Sequence, residues 1–252
     1  MSNRPAAHGR DSGMFGPGTA ETVCLVSRRR RAYIDEKTRQ NIRGGSNFRA
    51  SDRGARAGVR APGGGRVNVY VALLRGVNVA GRRRVGMQAL RRSCEALGMT
   101  DVVSYVQSGN LVFSSSWEES HALADALEAK LAEDHGVEDV NALVLPAAEL
   151  EEIVRANPFA PRAAKSGTLY HATFLFRHVP ETLFAERELP LQEGEKAVLV
   201  GRVVYLYCPG GYAKTALGNA WFEKALGTQA TTRNWRTVLA LRKLAQREAG
   251  AA

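Results

Sequence analysis

Cysteine is scarce in this 252-residue chain: Cys24, Cys94 and Cys208 are the only three, and none forms a CxxC pair. So sparse and odd a set argues against a disulfide framework and fits a reducing compartment. Long apolar runs are missing as well. None exceeds the six residues of Val69 to Leu74, whereas a membrane-spanning helix needs about 20, and no apolar core of a secretion signal stands near the N-terminus. The expectation is a cytoplasmic protein with no membrane partner. There is no HExxH, no DxD-type acid pair and no GxSxG. Their lack counts against a metalloenzyme or a serine hydrolase, but it leaves open an enzyme with a dispersed site. His171 and His178 stand seven apart on an expected strand, so they point to opposite faces and cannot share a metal ion. No metal site and no particular cofactor is expected.

The net charge of +10 is unevenly placed. Residues 1–66 carry 14 basic and 5 acidic side chains, and residues 67–252 carry 21 and 20. The basicity therefore belongs to the first segment. That segment holds 11 glycines and shows neither helical nor strand periodicity, so it cannot bury enough apolar surface to offset its ordering entropy. We read 1–66 as a disordered tail. Two roles compete for it. Arg28 to Arg31 beside Tyr33 is the pattern of a nucleic-acid-binding arm, while charge runs are more often simply solvated.

At Val67 the texture changes. Val67 to Leu74 reads as a buried strand, and Met87, Leu90, Cys94 and Leu97 recur at helical spacing. Val102 to Gln107 and Asn110 to Ser114 read as a hairpin about a Ser108-Gly109 turn. Ser116 and Glu119 have the spacing of a capping box opening a helix through Leu123, Leu127 and Leu131, and Val140 to Leu145 is the next strand. Strand, helix, two strands, helix, strand is the ferredoxin-like order. The pattern then returns. A linking helix begins at Pro146, and His171 to Val179 is a strand. Pro180 to Glu188 is a short helix, Lys196–Val200 and Val203–Cys208 form a hairpin about Gly201-Arg202, and Leu217 to Leu226 is a helix. Ala230 to Arg233 is a short strand, and Asn234 caps a final helix. The expected fold is α+β: two ferredoxin-like halves, 67–146 and 147–252, the second ending in a C-terminal helix. Both faces of the first strand are apolar, so the face without helices must meet the second half, another copy in a homodimer, or a ligand.

Three segments resemble a known family: Leu74-Arg75-Gly76-Val77-Asn78, Tyr105-Val106-Gln107-Ser108-Gly109-Asn110 and Thr232-Arg233-Asn234-Trp235. They are similar to those of the bacterial domain-of-unknown-function 1697 family, from about residue 69 to 244. The resemblance implies a cytoplasmic bacterial α/β protein and no assigned reaction. Ala80 and Gly86 depart from the family's usual Gly and Pro.

Candidate chemistry is of three kinds. Cys208-Pro209-Gly210-Gly211-Tyr212-Ala213-Lys214-Thr215 follows a strand and precedes a helix, which is the physics of an anion cradle built on Gly210, Gly211, Lys214 and Thr215. Ala213 in place of Gly before the lysine rules out a P-loop. Arg75, Asn78 and Arg233 sit at the ends of strands, and if their loops converge two guanidiniums can hold a carboxylate or phosphate. Tyr70 stands where an RNA-recognition module carries a stacking platform. Cys208 as a nucleophile has no histidine nearby in sequence. A small phosphate- or carboxylate-bearing ligand is the leading expectation. Nucleic acid, through the tail or the first sheet, and homodimerisation are the alternatives.

Overall fold

The computed structural model describes residues 67–77, 85–106, 109–163 and 165–251. The tail with Cys24, the position of Asn78 and the Gln107-Ser108 turn lie outside them. Among the described residues the chain is α+β, with two four-stranded antiparallel sheets.

The first sheet is built from β1 (Asn68–Arg75), β2 (Thr100–Ser104), β3 (Asn110–Ser115) and β4 (Asn141–Pro146), in the order β2-β3-β1-β4. Helices α1 (Met87–Ala96) and α2 (Ser120–His135) cover one face. Helices α3 (Ala147–Arg155) and α4 (Ala160–Ala163) then lead to β5 (Tyr170–Leu175) and α5 (Glu181–Ala185). Next come β6 (Lys196–Val200), β7 (Val203–Tyr207), α6 (Asn219–Leu226) and β8 (Ala230–Asn234), and the long α7 (Trp235–Ala251) closes the chain. The second sheet repeats the order, β6-β7-β5-β8.

The alternation of β1 places its two apolar sets in different layers. Tyr70, Ala72 and Leu74 join Leu90, Cys94, Leu123 and Leu127 beneath α1 and α2. Tyr70 is 2% exposed, lies against Phe113 and donates its hydroxyl to the Trp117 carbonyl at 2.6 Å. It is a core residue and offers no ring to a base. Val69, Val71 and Leu73 face the other way. They share one apolar cluster with Ile153 of α3, Phe174 and Tyr205 of the second sheet, and Trp235, Val238 and Leu241 of α7. The chain's own second half thus covers the face that suggested a homodimer. The far face of the second sheet packs on α5 and α6 through Leu175, Phe184, Val204 and Phe222.

Several boundaries differ from the sequence reading. Helix α2 starts at Ser120 with Glu119 at its N-cap and no side-chain capping bond, so Ser116 and Glu119 do not form a capping box. Strand β5 ends at Leu175, four residues short of the expected Val179, although a Phe176 N–H bond to the Gln229 carbonyl extends the β5–β8 register by one pair. Strand β2 stops at Ser104, before the expected Gln107, and Val106 has φ +49°, a rare conformation for a β-branched residue. The glycine-rich segment does not feed α6 directly. A three-residue 3-10 helix, Tyr212–Lys214, comes first, and α6 begins at Asn219.

Candidate functional site

The three segments that carry the family resemblance meet in space. Arg233 lies opposite Ala172 in the β5–β8 ladder and faces the first sheet. Its Nε donates to Asn110 Oδ1 at 2.5 Å and its Nη2 to the Leu74 carbonyl at 2.8 Å. Its Nη1 reaches Thr231 Oγ1 and the Thr232 carbonyl at 2.7 and 3.0 Å. Burial pushes its pKa down to about 10, which still leaves it charged at neutral pH. Beside it, Arg75 Nη2 forms an ion pair with Glu223 of α6 at 2.9 Å. Glu223 also accepts the Ala230 N–H at 3.1 Å. Glycines permit this close approach. Gly76, at φ +88°, would place a Cβ 2.9 Å from the Asp139 carbonyl oxygen, and Gly109, at φ +72°, would place one 2.8 Å from Leu74 Cβ. Arg75 and Arg233 therefore stand together, as the convergence of their loops requires. Their main bonds go to protein acceptors that fasten one half to the other.

The glycine-rich loop is similarly committed. Gly211 donates its N–H to the Cys208 carbonyl and Lys214 its N–H to Gly211. Thr215 Oγ1 donates to Glu195 Oε2 at 3.0 Å and accepts the Leu217 N–H at 3.1 Å. The Lys214 side chain is exposed. Tyr212 stacks on His171, 4.6 Å between centroids, and bonds to the Thr232 side chain. Thr232 and Arg233 are neighbours on a strand, so this loop and the Arg233 guanidinium lie on opposite faces of the second sheet. Burial, reinforced by Glu195, pushes the Cys208 thiol up to about 11, which keeps it protonated and a poor nucleophile. His171 is 6% exposed, and burial lowers its pKa to about 4.

A concave site lies elsewhere among the described residues. A cleft of about 240 Å³ opens between the halves, against the edge strand β4. Ser120 and His121 from the first turn of α2, Leu143, Glu149 of α3, Phe176 and Arg202 of the β6–β7 turn line it. Arg202 Nε and Nη2 both donate to Glu149 Oε1, at 2.8 and 2.7 Å. The start of α2 has no side-chain cap, so its first amides and the positive end of its dipole are available to an anion at the cleft wall. Sequence reasoning did not assemble this site. It treated Gly201-Arg202 as a hairpin turn and Ser116 as a cap, and no motif joins Ser120, Glu149 and Arg202 across the docking of two halves.

Among the described residues no group of three or more His, Cys, Asp and Glu side chains could hold a metal ion. No described helix is long and apolar enough to cross a membrane.

A family model described as a protein of unknown function, DUF1697, matches residues 67–205. That span takes in the first two of the three segments, and the Thr232 to Trp235 segment lies beyond it. No curated protein matches the chain. A solved structure of a conserved bacterial protein from Streptococcus pneumoniae is similar, with 24% identity and a TM-score of 0.53. The match covers 71% of this chain and 99% of that one. At that identity the likeness speaks for the fold.

Proposed function

The chain belongs to the DUF1697 family of proteins of unknown function, and from that premise, which supplies no reaction, we propose that it binds a small phosphate- or carboxylate-bearing ligand in the cleft between its halves. One observation carries the reading. The uncapped first turn of α2, with Ser120 and His121, and the Arg202 guanidinium line the same cleft. Backbone amides at a helix start and a guanidinium are the two donor types that favour a carboxylate or phosphate, and clefts between domains are a common place for small ligands. The Arg75 and Gly210 loops support it less well, since neither contributes to the lining of this cleft. The sparse, unpaired cysteines favour a reducing, cytoplasmic setting.

The test is a thermal-shift screen of the full chain against inorganic phosphate, sugar phosphates and small carboxylates. A ligand at 100 times its dissociation constant adds about 2.7 kcal/mol, a visible rise in melting temperature. The expected result is a rise with at least one of these, lost in Arg202→Ala and kept in Arg75→Ala. No rise with any of them contradicts the reading.

A further inference from the structure

We propose that the occupant of this cleft is a zwitterion the size of a free amino acid, with its ammonium on Glu149, its carboxylate at the first turn of α2 beside Arg202, and its apolar side chain against Phe176 and Leu143. This rests on the anion-binding reading above and narrows it. Arg202 directs two donors, Nε and Nη2, at the single oxygen Oε1 of Glu149. Both contacts fall on Oε1, and the Glu149 side chain is 38% exposed. A bare anion entering the cleft would meet that carboxylate as well as the helix start, and like charges a few ångströms apart oppose binding. A ligand carrying an ammonium beside its carboxylate satisfies both walls. The ammonium pairs with Oε2, and the carboxylate takes the amides of Ser120 and His121.

Size and lining narrow the class further. The cleft, of about 240 Å³, lies below the roughly 300–1,000 Å³ of pockets that bury drug-sized ligands, which suits a free amino acid better than a nucleotide. Leu143 is 4% exposed and presents an aliphatic wall, and Phe176 adds a half-buried ring. Those surfaces suit an aliphatic or aromatic side chain. Among the six residues named as cleft lining, Glu149 is the one carboxylate, which makes it the determinant that separates an amino acid from its deaminated acid.

The experiment is calorimetric titration of the full chain with L-alanine, L-valine, L-leucine and L-phenylalanine, their amides, their deaminated acids and inorganic phosphate. At least one amino acid is expected to bind, with its amide and its deaminated acid each weaker by roughly tenfold or more, as for loss of one partner of a partly buried charge pair. In Glu149→Gln the amino acid is expected to bind no better than the deaminated acid. If that variant does not fold, the wild-type comparison decides alone. A deaminated acid, or phosphate, that binds as tightly as every amino acid overturns the zwitterion and leaves the anion reading standing. No binding by any of these compounds overturns both.

Discussion

Arg233 donates its Nε to Asn110 Oδ1 at 2.5 Å, joining β8 of the second sheet to β3 of the first across 123 residues of sequence. The same guanidinium holds the Leu74 carbonyl, so one side chain ties together the three segments that carry the family resemblance. Arg233→Ala is expected to destabilise the protein by about 3 kcal/mol, since hydrogen bonds to a charged group are lost and the fully buried Asn110 loses a donor. A double-mutant cycle with Asn110→Ala, read by urea denaturation, is expected to give a coupling of about 1 kcal/mol or more. Additive effects would mean that the clamp is incidental.

Gly76 and Gly109 hold the same corner from the backbone side. Gly76→Ala must adopt φ +88° with its Cβ 2.9 Å from a carbonyl oxygen, and neither can relax by rotating a side chain. A loss of roughly 1–3 kcal/mol is expected, measurable as a lower denaturation midpoint with unchanged slope. Gly136→Ala, with φ +63° but nothing within 4 Å of its Cβ, is expected to cost less than Gly76→Ala.

His171 sets a pH dependence. Its folded pKa, about 4, lies below the ordinary 6.5 because burial disfavours the imidazolium. The unfolded chain therefore takes up a proton near pH 6.5 that the folded one refuses. Stability is unaffected by this group above that pH and falls as pH drops from about 6.5 to 4, by at most about 1.4 kcal/mol per unit. In His171→Phe this part of the loss should vanish, so melting temperatures at pH 7 and pH 5 should lie closer together than in the wild type. An identical pH profile in the variant would show that the loss arises elsewhere.

The two buried thiols should be inert. Burial pushes Cys94 up to about 12 and Cys208 up to about 11. In a Cys24→Ser background, labelling by iodoacetamide at pH 8 is expected only at the rate of global unfolding. Fast labelling of Cys208 in the native protein would reopen it as a nucleophile.

How far the sequence discloses this protein follows from which physics acts locally. The strand alternation at Val69 to Leu74, the helical spacing through Leu123, Leu127 and Leu131, and the Asn234 cap, whose Oδ1 accepts the Arg236 N–H at 2.9 Å, are near-neighbour effects. They place the elements correctly. Even the unsatisfied second face of β1 is legible, because both sides of that strand are apolar. What covers it, the α3, α7 and second-sheet layer around Trp235, is a long-range choice that no window of sequence contains. The site divides along the same line. Arg75 and Arg233 can be singled out from motifs, but their engagement with Glu223 and Asn110 depends on distant partners. The cleft is lined from both halves, with Arg202 paired to Glu149 in its wall. The cap at Ser116 misled because capping-box spacing is necessary for that motif and not sufficient: the chain runs on extended to Glu119, at φ −97° and ψ 110°.

The central claim is that a small anionic group is held at the start of α2. Backbone amide resonances of the isotope-labelled full chain, followed while inorganic phosphate and then small carboxylates and amino acids are added, test it residue by residue. The account predicts saturable shifts at Ser120 and His121 with at least one of these compounds, absent in Arg202→Ala, while the amides of Arg75 and Lys214 stay in place. Saturable shifts centred on Arg75 or on Gly210 to Thr215, or no saturable shift anywhere, would contradict it.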